Sequence, residues 1–376
     1  MIALVAGAWA LTLDEAVKRA AEVNPTAVVA ELEWRRTRLE ALEAWTALGV
    51  TPSLSIDRTL IGSAPEGETL SVTVGLLDPP AWFDAAEQSA QARSARYVTD
   101  ATALDAQYAA ALLYYEALAA ESALDAAKTG EELAKATHDA AKARVGAGIE
   151  SELLGRSAEI GLLQAQAART RAEADVEITR ARLSRALEQE IDSLQPTRAL
   201  PMPTGDGRSP WQDAAAAETD AAKMEELEAL AGLLPTASIT ARTPLQDPAW
   251  TVALNATWTF DGVVGPVLRA RQSALDAKIA VVEEDALDKD LALALRAASE
   301  NARAAARIAE AARAREALAE ESLRVGQTRL GVGLASTLEV LRLQDEAVTA
   351  RADRVAAELA EAAAVLEARR VGGVAF

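Results

Sequence analysis

Residues 329–344 read RLGVGLASTLEVLRLQ. Long Ala- and charge-rich segments with helical patterning lie on both sides, and Gly331 and Gly333 interrupt them. A looser copy, RVGAGIESELLGRSA, occupies 144–158, with Gly146 and Gly148 at the matching places. A helix interrupted twice in the same manner raises the question of which turn is being built, and in how many copies.

The landmarks recur at one offset. Pro52 opens PSLSID and Pro235 opens PTASIT. Pro80 and Pro266 are separated by nearly the same interval, and so are Gly148 and Gly333. A unit of about 185 residues is thus written twice, a period too long for a solenoid repeat. Each copy has a helical stretch, two short alternating runs, a very long helix, the glycine break and a return helix. The expected first repeat covers 11–200, with strands at about 51–77 and a helical turn near 146–151. A Pro/Gly-rich linker follows at 201–210. The second repeat covers 211–376, with one short leading helix, strands at about 235–260 and a turn near 331–337. Thr12 and Glu15 form a capping box that starts the first helix, and Asn24-Pro25 ends it.

Half of the residues are hydrophobic but only 4% are aromatic, so the apolar content is mostly small. Alanine is the best helix former and buries little area, which suits close-packed helix pairs better than a thick globular core. The 38 basic and 57 acidic residues leave a net charge of −19. That excludes nucleic acid as an expected partner, because phosphate binding needs a basic face. Cysteine is absent, and the one histidine, His138, sits in the polar helical stretch LAKATHDAAKA as a solvated residue. No catalytic constellation, phosphate loop or metal-spaced cluster stands out, so no enzyme, cofactor or metal is expected. Residues 2–10 are apolar and end in Ala8-Trp9-Ala10, the pattern of a secretory signal over 1–10. A short N-terminal tail is the other reading. Elsewhere no run of ~18 apolar residues suggests a membrane-crossing helix.

The alternating runs are short and regular. In WTVALNATWTF, Trp250, Val252, Leu254, Ala256, Trp258 and Phe260 alternate with Thr251, Ala253, Asn255, Thr257 and Thr259. In TLSVTVGL, Leu70, Val72, Val74 and Leu76 alternate with Thr69, Ser71, Thr73 and Gly75. A strand of about ten residues spans a bilayer when tilted. Trp250 and Trp258 then stand about 20 Å apart along the membrane normal, as two interfacial aromatics would. A half-buried hairpin on a soluble domain is the alternative. A membrane sheet leaves no open edge, and four strands do not close a barrel, the smallest having about eight. A barrel here must be shared among several copies of the chain.

Pro80 to Gly148 and Pro266 to Gly333 are long stretches of nearly equal length. Each could reach about 100 Å as a continuous helix. The return helix carries a 3,4 stripe of Leu338, Leu341, Asp345, Val348, Ala352, Val355, Leu359, Ala362 and Leu366. The helix leading to it carries Leu287, Leu291, Ala294, Ala298, Ala305, Ile308, Ala312 and Ala319, with Asn301 and Arg315 in the seam. This is coiled-coil spacing. The glycine pairs supply the φ > 0 residues of a tight helix–helix turn, with Ser336 or Thr337 as cap of the returning helix.

LTLDEAVKRAAEVNP, the two glycine turns and TWTFDGVVGPVLRARQSALDA together resemble the TolC-type outer-membrane channel-tunnel family, over nearly the whole chain after residue 10. The resemblance implies a mainly α fold with a small β part. Duplicated antiparallel helical hairpins would form a periplasmic tunnel, and four strands per chain would join a twelve-stranded barrel in a homotrimer. It implies an efflux or type I secretion exit duct in the outer membrane of a Gram-negative bacterium, in contact with outer-membrane lipid. Its partners would be a periplasmic adaptor (membrane fusion) protein and, indirectly, an inner-membrane pump (RND, ABC or other). Val332-Gly333-Leu334 matches the family's adaptor-docking tip, and Ala147-Gly148-Ile149 matches it more loosely. Glu339 falls where the family narrows the tunnel mouth with acids. Arg342 takes the place of a second acid, and the first half has Leu154 and Gly155 there. Asp345 then has two readings, a local pair with Arg342 or a tunnel-facing gate residue beside Glu339. The turns IGSAPEG and PLQDPA are short, and the terminal Phe376, which follows a helix, resembles a barrel's terminal aromatic only by coincidence. The competing function is an adaptor-like or purely structural coiled-coil protein without a barrel.

Overall fold

The computed structural model describes residues 10–57, 67–149, 151–197, 200–203, 208–244, 249–258, 264–374 and 376. Nearly all of the expected signal, part of the linker and most of the turns IGSAPEG and PLQDPA lie outside them. In chain order the elements are α1 (Leu13–Val23), α2 (Pro25–Ala47), β1 (Val50–Asp57), β2 (Gly67–Leu77), α3 (Pro79–Gly146), α4 (Glu152–Leu187), α5 (Pro210–Ala231), β3 (Thr236–Pro244), β4 (Thr251–Thr257), α6 (Val264–Gly331) and α7 (Thr337–Val371). The chain is mainly helical with one small sheet. Among the described residues no helix is long and apolar enough to cross a membrane.

The residues gather into two compact units. One comprises Met1–Ala27, Ala103–Gly207 and Ala292–Phe376; the other comprises Val28–Thr102 and Arg208–Leu291.

The second unit holds the sheet, ordered β1-β2-β3-β4 and antiparallel throughout. Its central pairing, Val72↔Ala241 and Thr73↔Thr240, joins the first repeat to the second. Asn255 donates from Nδ2 to Thr240 Oγ1 at 3.3 Å, and Thr73 and Thr240 hydroxyls lie 3.3 Å apart, so the polar face is cross-linked by side chains. The helices of this unit follow the same order as the strands. Thr99 Oγ1 donates to the Ala30 carbonyl at 3.1 Å and Trp45 Nε1 to Ser89 Oγ at 2.8 Å, setting α2 on α3. Ser94 Oγ donates to Glu218 Oε1 at 3.2 Å, setting α3 on α5. Gln212 Nε2 donates to Asp288 Oδ1 at 2.9 Å and Thr219 Oγ1 to the Ala280 carbonyl at 3.3 Å, setting α5 on α6.

The first unit is centred on an aromatic cluster. α1 begins with the expected capping box, in which Glu15 N–H donates to Thr12 Oγ1 at 3.2 Å and Thr12 N–H to Glu15 Oε2 at 3.0 Å. Asn24 ends α1, and its side-chain oxygen accepts from Thr26 N–H at 2.9 Å in the first turn of α2. Leu13, Ala16, Val17 and Ala20 of α1 pack with Leu183 and Leu187 of α4 and Tyr108, Tyr114 and Tyr115 of α3. Leu11 pairs with Leu194 in a parallel bridge. The buried Tyr114 hydroxyl ties the two chain segments together, shared between the carbonyls of Leu11 at 2.8 Å and Gln195 at 2.6 Å. Burial pushes this phenol up to about 12. Phe376 packs within the helical unit. Its ring lies 4.6 Å from that of Tyr108, whose hydroxyl donates to the Val374 carbonyl at 2.5 Å.

The helical seams correct the sequence reading in phase. On α6 the buried positions include Ala298, Ala302, Ala309, Ala319 and Leu323. Ala298 and Ala319 are buried as expected, but Ala302 and Ala309 take the places given to Asn301 and Ile308, and Ile308 is 62% exposed. On α7, Thr337, Val340, Gln344 and Ala347 are buried instead of Leu338, Leu341, Asp345 and Val348; the two patterns merge from Val355 onward. Small residues face inward because the helices approach closely. Gly326 marks the limit, where an added Cβ would stand 2.5 Å from Leu343 Cδ1. The hairpin is laced outside this seam by Arg313 to Glu358 at 2.8 Å, Arg315 to Asp353 at 2.7 Å and Arg351 to Glu320 at 2.6 Å.

Tyr114→Phe should destabilise the first unit by about 0.5–1.5 kcal/mol, because the Gln195 carbonyl loses its tyrosine donor while the Leu11 carbonyl keeps the Gln195 N–H at 2.9 Å. Thermal unfolding of the detergent-solubilised protein measures this, and an unchanged transition would show that water replaces the hydroxyl.

Candidate functional site at the helical turns

Both helical turns close by the same hydrogen-bond pattern. At the first, Gly148 N–H donates to the Val145 carbonyl and Ile149 N–H to the Arg144 carbonyl, both at 2.9 Å. At the second, Gly333 N–H donates to the Leu330 carbonyl at 3.1 Å and Leu334 N–H to the Arg329 carbonyl at 2.8 Å. This is the Schellman arrangement, which needs a left-handed residue just past the helix. Gly148 at φ 70° and Gly333 at φ 77° supply it. The expectation that both glycines of each pair do so is corrected: Gly146 and Gly331 are the last residues of α3 and α6, without positive φ.

The return helices start differently. Ser336 is the cap of α7, its Oγ accepting from Glu339 N–H at 3.2 Å, while Thr337 is buried. Ser151 occupies the equivalent place on α4 without a side-chain cap hydrogen bond. The turns themselves are apolar and bare. Ile149 is 72%, Val332 68% and Leu334 70% exposed, and Ala147 is exposed beside them. Arg144 ties one turn to the other, donating from Nη2 to the Leu330 carbonyl at 2.9 Å.

The three gate candidates, Glu339, Arg342 and Asp345, lie just past the second turn and are all exposed. Glu339 is not isolated, since Arg329 Nη1 stands 3.6 Å from its Oε1. Among the described residues Arg342 and Asp345 form no ion pair with each other, so the local-pair reading of Asp345 is not realised. Asp345 instead borders a groove lined also by Gly130, Ala134, Ala158, Gly161 and Val348.

One titratable cluster escapes a reading of the sequence. Asp84 and Glu87 of α3 and Glu228 of α5 offer carboxylate oxygens within 4.8 Å of one another. No spacing could reveal it, because Glu228 arrives from the other repeat. Burial, then the charges of Glu225, Glu228 and Asp84, push Glu87 up to about 7. Glu228 is raised by burial and by its acidic neighbours Asp84 and Glu225. Trp250 and Trp258 flank β4 and are both exposed, with Trp258 Nε1 donating to the Leu233 carbonyl at 3.3 Å.

Gly333→Ala should weaken the second turn by about 1–2 kcal/mol, the left-handed penalty of an L side chain, whereas Gly331→Ala should be neutral or stabilising. Hydrogen exchange at the turn amides separates the two. For Glu87 the folded-state value lies above the unfolded 4.5, so the folded protein holds the extra proton between them. Stability should therefore fall as pH rises from about 4.5 to about 7 and level off above. Glu87→Gln should flatten that slope in thermal unfolding, and an unchanged slope would assign it elsewhere.

No protein-family model matches the sequence, and no curated protein does either. Solved structures do match. The MtrE outer membrane channel of Neisseria gonorrhoeae is 16% identical with a TM-score of 0.81, covering 96% of this chain and 89% of that one. The outer membrane protein VceC of Vibrio cholerae is 14% identical with a TM-score of 0.78, covering 97% and 96%. The CmeC outer membrane channel of Campylobacter jejuni is 14% identical with a TM-score of 0.77, covering 96% and 85%. At these identities the likeness is one of fold.

Proposed function

We propose that this chain, which has the TolC-type channel-tunnel fold, is the outer-membrane exit duct of a multi-component efflux or type I secretion system. It works as a homotrimer in the outer membrane of a Gram-negative bacterium, with its tunnel in the periplasm. It is a passive conduit and not an enzyme. One observation carries the reading. β4 is exposed along its whole length, with Val252 at 72% and Leu254 at 70%, and it forms one of two open edges of a four-stranded sheet. Apolar side chains left bare beside unpaired backbone suit a strand that meets lipid on one face and another copy at its edge. Three copies supply twelve strands. Trp250 and Trp258 then anchor the membrane interfaces. The adaptor-like rival accounts for neither the bare strand nor the second helical hairpin.

The apolar turns at Ala147, Gly148, Ile149, Val332, Gly333 and Leu334 are the docking points for a periplasmic adaptor, which connects the duct to an inner-membrane pump. Glu339, Arg342 and Asp345 lie at the mouth, where three-fold symmetry repeats the Glu339 and Asp345 carboxylates, which outnumber the Arg342 cation and favour cations. In planar bilayers the reconstituted protein should conduct with cation selectivity and be blocked by multivalent cations from the periplasmic side. Glu339→Gln should weaken that block, and Arg329→Gln, which releases Glu339, should strengthen it. Indifference of the block to both would remove Glu339 from the mouth, and a folded monomer by native mass measurement would overturn the duct itself.

A further inference from the structure

A cavity of about 900 Å³ opens among α3, α4, α6 and α7, and every residue lining it belongs to the first unit. Its floor is apolar, with Val176, Val355 and Ala362 buried and Leu118 and Leu359 partly so. Its rim is acidic. Glu121, Asp125, Glu173, Glu177, Glu358 and Glu361 line it against only three cations, Lys128, Arg180 and Arg313. Arg180 holds Glu121 at 2.6 Å, and Arg169 holds Glu173 at 2.9 Å. Among the described residues Asp125 and Glu177 enter no ion pair. At the other end Arg313, Arg351 and Arg354 serve Glu316, Glu320, Glu358 and Glu361, one carboxylate more than the guanidiniums. Surplus negative charge thus gathers at two places in one cavity.

The register of the helices gives the spacing. α3 and α4 run antiparallel, tied by Glu121 to Arg180 and by Glu131 to Arg169. On that register Asp125 and Glu177 lie within about 3 Å of the same height. α3 and α7 also run antiparallel, with Thr137 bonded to Gln344 and Gly130 facing Val348. Counting from the second contact, Glu358 and Glu361 lie about 8–12 Å further along the cavity than Asp125. A single metal ion cannot bridge carboxylates so far apart. Among the described residues, acids gathered closely enough for one occur only at Asp84, Glu87 and Glu228 of the second unit.

We propose that the cavity binds a linear polyamine, one ammonium end between Asp125 and Glu177 and the other toward Glu358 and Glu361. Spermidine spans that distance when extended. Its ammonium groups supply the missing cations as charge-assisted hydrogen bonds, and its methylenes cover the apolar floor. A cavity walled by protein also focuses the field of its charges, which raises the local concentration of cations. Asp125 and Glu177 belong to one helical hairpin, Glu358 and Glu361 to the other, so the bound ligand braces the two repeats against each other. The proposal is independent of the duct reading, because one chain supplies every group.

The probe is labelled spermidine, equilibrated by dialysis with the full chain in an uncharged detergent at low salt. It should saturate at one equivalent per chain. Asp125→Asn with Glu177→Gln should weaken binding by about tenfold or more, since each charge-assisted contact is worth roughly that. Both side chains are exposed and outside the ion pairs, so the variant keeps its fold. Neutralising two exposed acids of the second unit, Glu283→Gln with Asp290→Asn, should leave binding unchanged. Terminal diamines test the spacing at equal charge. Diaminooctane should compete with spermidine, and diaminobutane, too short for both ends, should compete about tenfold less well. Equal weakening by the two double variants would reduce the effect to the net charge of −19 and overturn the cavity as the site. Equal competition by the two diamines would overturn the two-ended fit. Absence of saturable binding would overturn the proposal outright.

Discussion

Unsatisfied backbone is the constraint from which this architecture follows. A strand at the edge of a sheet presents a row of N–H and C=O groups without partners, and surrounding them with hydrocarbon costs several kcal/mol each. β1 and β4 are both such edges. The chain offers nothing of its own to cover them among the described residues, and β4 adds bare apolar side chains to the problem. In the proposed duct, copies of the same edge pair would solve it without new parts, because an even number of antiparallel strands lets the last meet the first of the next copy in the same sense.

The helices answer a different demand with little material. Helices that approach this closely leave little room for large side chains between them, so alanine predominates in the seams. Ala298 and Ala302 of α6 pack with Val365 and Ala368 of α7, and Ala319 packs with Ala347 and Ala350. Each buries little area, and the ion pairs that lace α6 to α7 are exposed and individually weak. Cohesion in the first unit is therefore concentrated in the tyrosine cluster around Tyr114, where the large side chains of α1, α3 and α4 converge.

Much of this was legible in the sequence, for local reasons. The Thr12–Glu15 box, the Asn24-Pro25 stop, the left-handed glycines and the Ser336 cap each act within a few residues, so their chemistry can be read without the fold. The duplication was legible because prolines and glycines keep their spacing. The seam phase was not, because a hydrophobic stripe is found by size, and here Ile308 and Leu338 face outward while alanines face in. Nor was the Asp84–Glu87–Glu228 cluster, whose members belong to different repeats. The Tyr108–Phe376 contact joins the middle of α3 to the last residue of the chain, and nothing near either one announces the other.

The pairing of β2 with β3 sets the order of events during folding. Val72 and Ala241 are neighbours in the sheet, yet all of α3, α4 and α5 lies between them in sequence. Contacts of such long range close slowly, because the loop entropy is lost before the pairing repays it. The first hairpin, β1 with β2, must therefore wait as an isolated ribbon, too small to be stable alone, until most of the chain exists. The helical hairpins, each built from two helices adjacent in sequence, can form first. On this order the pairing of β2 with β3 is a late step of folding, and an accessory factor that shields nascent strand edges would act on the last step and not the first.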